Sequence, residues 1–119
     1  MEGKMAVPSL PLCSQAAFPS EVVRNPHVIF LCTVLGNDHC NRARHEALAA
    51  RTLLAPFVVQ EVDLGSSPVL ASRYGACSVP TYWFWVNRTL RYRHASVLDA
   101  ADLVVLAAQV ADGQVSGTH

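Results

Sequence analysis

The side chains most able to do chemistry in this sequence are thiols. Cys13, Cys32, Cys40 and Cys77 are widely separated, with no C-x-x-C pair and no spacing that suits structural zinc. A thiol reacts as its thiolate, so each cysteine has to be weighed by what surrounds it. Cys40 stands out because it follows Gly36-Asn37-Asp38-His39 and sits in the first turn of a helical segment. There a helix N-terminus and a protonated His39 would both favour the thiolate. The same cysteine also reads as a small core residue: Cys40, Ala43, Ala47, Ala50 and Leu54 recur on one narrow helical face, while Arg42, His45, Glu46 and Ala49 point elsewhere. His39 in turn reads as an exposed first-turn residue. Cys32 lies in an apolar run and reads as inert core; Cys13 has no assignable role. His39 and His45 fall on different helix faces, so with Cys40 they make no metal site, and no Gly-rich phosphate loop or nucleophile elbow occurs. Neither a metal nor a cofactor is expected.

The elements that must hold these residues follow from hydrophobic periodicity and its punctuation. Residues 8–12 (PSLPL) suit a short edge strand, and Ser14 to Val23 a short helix stopped by Asn25-Pro26. His27 to Thr33 is almost unbroken apolar sequence, the pattern of a strand covered on both faces. A turn at Gly36 to Asp38 leads into a helix from His39 to Leu54, ended by Pro56. Phe57 to Leu64 is a second strand and Pro68 to Tyr74 a helix stopped by Gly75. Thr81 to Val86 and Thr89 to Ser96 form a hairpin about Asn87-Arg88, and Leu98 to Val110 a closing helix. Trp83 and Trp85 share one strand face and read as core; Arg88, Arg91, Arg93 and His94 read as a solvated basic face, or else a docking edge for an acidic partner. The order β-α-β-α-β-α-β-β-α predicts an α/β domain, a mixed sheet between helices, over residues 9–111, with a loose leader at 1–8 and a frayed tail at 112–119.

Composition narrows the function classes. The 119 residues carry 9 Lys plus Arg against 9 Asp plus Glu, so no net field draws the protein to nucleic acid or anionic lipid. No segment is long enough to span a bilayer, and the first residues make a poor signal sequence. The expectation is a cytoplasmic protein with free thiols. With 51% hydrophobic and only 15% charged residues, an apolar patch for a protein partner or a second copy is in keeping.

The stretch 74-YGACSVPTYWFWVNRTLRYRHAS-96, preceded by EVDL at 61–64, resembles the thioredoxin-like superfamily: helix stop, loop, Val79-Pro80-Thr81, central strand, turn, antiparallel strand. The resemblance covers roughly residues 9–111 and implies a thioredoxin-like fold with a cis-proline loop at Val79-Pro80. It also implies that Ser78, Val79, Pro80 and Thr81 form a binding loop, with the backbone of Val79 offered to an extended peptide. Active members carry C-x-x-C where this chain has Asn37-Asp38-His39-Cys40. One register sets Gly36 and His39 at the two cysteine positions; the other sets Asn37 at the nucleophile and Cys40 at the resolving position, and the phase of Cys40 favours it. In both the attacking thiol is missing, and dithiol exchange lacks its first step. The central strand has Phe30 near the place of the family's acid, and Leu35-Gly36 replaces its tryptophan. Against that, His39-Cys40 retains half of the C-P-H-C centre of disulfide-forming relatives. Cys77 would face the reaction centre as a resolving thiol.

These residues lead to a degenerate thioredoxin-like module that docks a protein or peptide at the cis-proline groove, similar in kind to redox-silent accessory chaperones of hydrogenase maturation. The alternative is a monothiol or glutathione-linked redox protein using Cys40 with Cys77. A homodimer is a third reading.

Overall fold

In the computed structural model the described residues are 9–76 and 78–118. Five strands form one mixed sheet in the order β2-β1-β3-β4-β5. β1 (His27–Thr33) runs parallel to β2 (Val58–Asp63) and antiparallel to β3 (Thr81–Val86); β3 pairs antiparallel with β4 (Thr89–Ala95), and β4 parallel with β5 (Gly117–Thr118). Four helices cover it: α1 (Phe18–Arg24), α2 (Asp38–Ala50), α3 (Pro68–Tyr74) and α4 (Ala100–Ala111).

β1 is apolar on both sides because both sides are covered. Ile29 and Leu31 join Tyr82, Phe84 and Val59 beneath Ala43, Ala47 and Ala50 of α2 and Leu103, Ala107 and Val110 of α4. Val28, Phe30 and Cys32 face the other way, into a cluster with Phe18, Leu70, Trp83 and Trp85. That second layer is aromatic, with the Tyr74 and Trp85 rings edge to face at 5.2 Å and Phe18 against Phe30 at 4.6 Å. Ala at three α2 positions lets the helix lie close to the sheet. Glu46 of α2 then accepts the Ala100 N–H at 2.8 Å, which ties α2 to the first turn of α4, while Asp99 caps Asp102.

Several expectations are corrected. The early edge strand is only a single bridge, Leu12 to Glu61, since Pro11 has no N–H to extend a ladder; its carbonyl accepts from Glu61 instead. The first helix begins at Phe18, because the Ser14 hydroxyl and carbonyl both take the Ala17 N–H and hold a turn. α2 tightens into a 3-10 turn at Arg51–Leu53, and the last helix starts at Ala100 behind its Asp99 cap. Past α4, Gly113 at φ +74° turns the chain back, and the stretch assigned to a tail supplies β5. The leader at 1–8 lies outside the described residues.

The hairpin turn has φ of +49° at Asn87 and +67° at Arg88, as a tight hairpin requires, and a register shift at Phe84/Trp85 follows. The basic residues beyond it are not one solvated face. Arg93 lies on the Trp83 side and donates from Nη1 to the Tyr74 carbonyl at 2.6 Å, whereas His94 pairs in register with Tyr82. Arg93 therefore ties β4 to the end of α3. At that point Gly75 takes φ +76°, and a Cβ would run into the Arg93 guanidinium.

Gly75→Ala is expected to lose about 2 kcal/mol of stability in urea titration, from left-handed strain and a displaced Arg93 bond. An unchanged midpoint would show that this helix end is not so constrained.

Candidate functional site

The site lies at the end of the sheet where β1 delivers the chain to α2 and where β3 begins. Asn37 is the N-cap of α2: its side-chain oxygen accepts the Cys40 N–H at 2.9 Å. It is half-buried and has a structural duty of its own. Gly36, at the nucleophile position in the alternative register, takes φ +74° in the turn before it. His39 is exposed in the first turn, and Cys40 points the opposite way with no exposed surface.

Opposite His39 stands the loop from Ser78 to Pro80, whose Val79–Pro80 peptide bond is cis. His39, Ser78, Val79 and Pro80 line one open groove of about 310 Å³ with Ala95, Ser96 and Val97 at the end of β4. A second hollow of about 250 Å³, with Val34, Leu64, Ala71 and Ala76 in its lining, lies on the other side of Ser78 and Val79. The loop is thus a ridge between two apolar depressions. Leu35, 89% exposed, stands in the neighbouring β1–α2 loop next to Val34.

Two hydrogen bonds hold the ridge. The Thr81 hydroxyl donates to the Ser78 carbonyl at 2.6 Å, and the Ser96 N–H to the Pro80 carbonyl at 3.1 Å. Thr81, expected in the binding loop, is buried beneath it and supports it without lining the groove. Among the described residues no hydrogen bond is made by the Val79 N–H or carbonyl.

The thiols are dispersed. Cys32 is fully buried on the aromatic side of β1, and burial, with the nearby Cys40 adding to it, pushes its pKa well up. Burial, and secondarily Glu21, pushes Cys13 up to about 11. Cys13, Cys32 and Cys40 are all unpaired thiols. Cys77, the proposed resolving partner, lies outside the described residues. Among the described residues no three His, Cys, Asp or Glu side chains are grouped as metal ligands, and no helix is long and apolar enough to cross a membrane.

Sequence reasoning missed a buried polar cluster beside α2. Glu61, inside β2, accepts from the Thr33 hydroxyl at 2.6 Å and from Arg44 Nε and Nη2 at 2.6 to 3.0 Å. Arg44 also donates to Asn41. Burial pulls the Glu61 pKa upward, but the Arg44 and Thr33 hydrogen bonds and the guanidinium charge outweigh it. The net shift is downward. The available signal was a carboxylate in an otherwise buried strand, which requires a partner, and an arginine one turn beyond Cys40. The other omission is the second wall of the groove, Ala95 to Val97, whose residue types carry no motif.

No family model matches the chain, and no curated protein does. Solved structures match it over most of its length. A mutant thioredoxin from Halobacterium salinarum NRC-1 is 21% identical with a TM-score of 0.75, covering 90% of this chain and 96% of that one. Chloroplastic thioredoxin z is 16% identical with a TM-score of 0.76, over 92% of this chain and all 100% of that one. The oxidised thioredoxin of Plasmodium falciparum is 19% identical with a TM-score of 0.75, over 85% and 97%. At these identities the likeness is one of fold: the chain adopts the thioredoxin-like α/β fold.

A carboxylate with a lowered folded-state pKa contributes stability above its unfolded pKa of about 4.3 and loses it as pH falls through the folded value. Glu61→Gln is expected to cost about 1–2 kcal/mol at pH 7 and to shrink that difference toward acid pH, read by urea titrations across the range. A difference constant down to pH 2, roughly two units below the ordinary carboxylate value, would contradict the charged pairing.

Proposed function

We propose that this thioredoxin-fold protein binds an extended segment of a partner protein at the groove beside Val79 and Pro80, and does so without disulfide exchange. The observation that carries this reading is the half-buried Val79, whose backbone N–H and carbonyl make no hydrogen bond among the described residues, set between two apolar hollows. An extended peptide can add itself to such an edge by main-chain hydrogen bonds, with alternate side chains dropping into the flanking hollows. The ridge is held at Ser78 and Pro80 from below, so docking needs little reordering of the loop. Asn37 at the nucleophile position and the complete burial of Cys40 support docking over thiol chemistry. The monothiol alternative needs Cys40 in contact with solvent, and no observation favours it. Three unpaired thiols suit a reducing compartment such as the cytoplasm.

The test combines peptides selected from a short random phage library with backbone NMR of the labelled protein. Bound peptides are expected to shift the amides of Ser78, Val79, Thr81, Ser96 and Val97, and the protein is expected to leave insulin disulfides intact. Peptides that map to another face, a library that yields no binder, or steady insulin reduction would each overturn the reading.

A further inference from the structure

We propose that the outer edge of β4, from Thr89 to Arg93, is a second docking surface, which takes an acidic extended segment of a partner protein as an added strand in place of β5. It lies outside the groove beside Val79, so the two readings fail separately. Charge is the first ground. The protein is neutral overall, but between Asp63 and Asp99 the chain has no Asp or Glu and carries Arg73, Arg88, Arg91 and Arg93. The fold gathers them. Arg88, Arg91 and Arg93 belong to the β3–β4 hairpin, and the Arg93 bond to the Tyr74 carbonyl brings β4 up to the end of α3, where Arg73 stands. Among the described residues the Arg88 and Arg91 side chains make no hydrogen bond or ion pair.

The backbone is the second ground. Beyond β4 the sheet has only β5, whose Gly117 and Thr118 pair with Tyr92 and Arg93. At Thr89, Leu90 and Arg91 nothing among the described residues pairs with this outer edge. An edge with open main-chain groups accepts another strand, and guanidiniums along it select carboxylates. The segment that now occupies the edge answers none of this charge, because Gly113 to Thr118 holds no acid. A second copy is a poor occupant, since two β4 strands side by side set arginine against arginine. So is nucleic acid, for Trp83, Trp85 and Tyr92 are buried and offer no face for base stacking.

The test uses labelled full-length protein, a short peptide of alternating Glu and Thr, its Gln and Lys counterparts, and a uridine oligonucleotide, followed by backbone NMR at low and high salt. The Glu peptide is expected to shift the amides of Thr89 to Arg93 and of Gly117 and Thr118. Its binding should weaken as salt rises and exceed that of the Gln peptide. Replacing both arginines, Arg88→Glu with Arg91→Glu, is expected to weaken it about tenfold and to bring in the Lys peptide instead. At Gly113 an added Cβ meets nothing within 4 Å and only the φ of +74° is strained. Gly113→Val is therefore expected to loosen β5 and tighten the Glu peptide about fivefold. Equal binding of the Glu and Gln peptides, shifts confined to another face, or no binding of the Glu peptide at low salt would each overturn the proposal. So would full affinity in the doubly substituted protein, or tighter binding of the oligonucleotide. Unchanged affinity in Gly113→Val overturns the displacement of β5.

Discussion

The hydrogen bond from the Ser96 N–H to the Pro80 carbonyl, with the Thr81 hydroxyl on the Ser78 carbonyl, fixes the loop on which the functional reading depends. Between them these bonds use the carbonyls on either side of Val79 and leave its own groups without a partner among the described residues. The first can form only because β3 and β4 are paired in register, Thr81 opposite Ala95, so that the start of one strand meets the end of the other; the second is local to the loop. Arg93 adds a third restraint where the chain leaves α3 toward the loop. The raised ridge is therefore a consequence of the hairpin, and the hairpin is held by a sheet buried on both faces.

The same frame explains what has become of the helix end opposite. A helix start is a natural place to lower a thiol pKa, through unpaired N–H groups and the macrodipole. Here the residue at the threshold is Asn37, which caps the helix and accepts from Cys40. Cys40 is fully buried on the same face of α2 as the alanines that meet the sheet. Next to it Arg44 is committed to Glu61, a carboxylate that could not remain ionised inside β2 without it. The charges of Arg44 and Glu61 are thus consumed in pairing β2 to α2.

Much of the fold was legible because its strands and helices differ in apolar period. HVIFLCT and TYWFWV are apolar but for residues at their ends, and every residue of the two but His27 is interior. The alanine stripe of α2 carries its phase openly, and it gave the burial of Cys40. Legibility failed where local hydrogen bonding decides: Ser14 drawing Ala17 into a turn, Pro11 reducing a strand to a bridge, Gly113 returning the tail to the sheet. Of the residues that line the groove, Val79 and Pro80 stood out through a motif, but Ala95 to Val97 did not, since a groove wall formed by the end of a distant strand leaves no local pattern. Ser96 takes φ +127° where the chain leaves β4, and serine gives no hint of it as glycine would have.

Docking without disulfide exchange, as proposed, requires the helix-start thiol to be out of reach in the native protein. The most direct measurement is the rate of iodoacetamide modification of Cys40 in a variant whose other cysteines are replaced, followed against pH and urea. Modification is expected to track global unfolding, with negligible reaction of the native protein at neutral pH. Native-state modification at neutral pH, at the rate of a free thiol or faster, with an apparent pKa at or below the ordinary value of about 8.5, would contradict it.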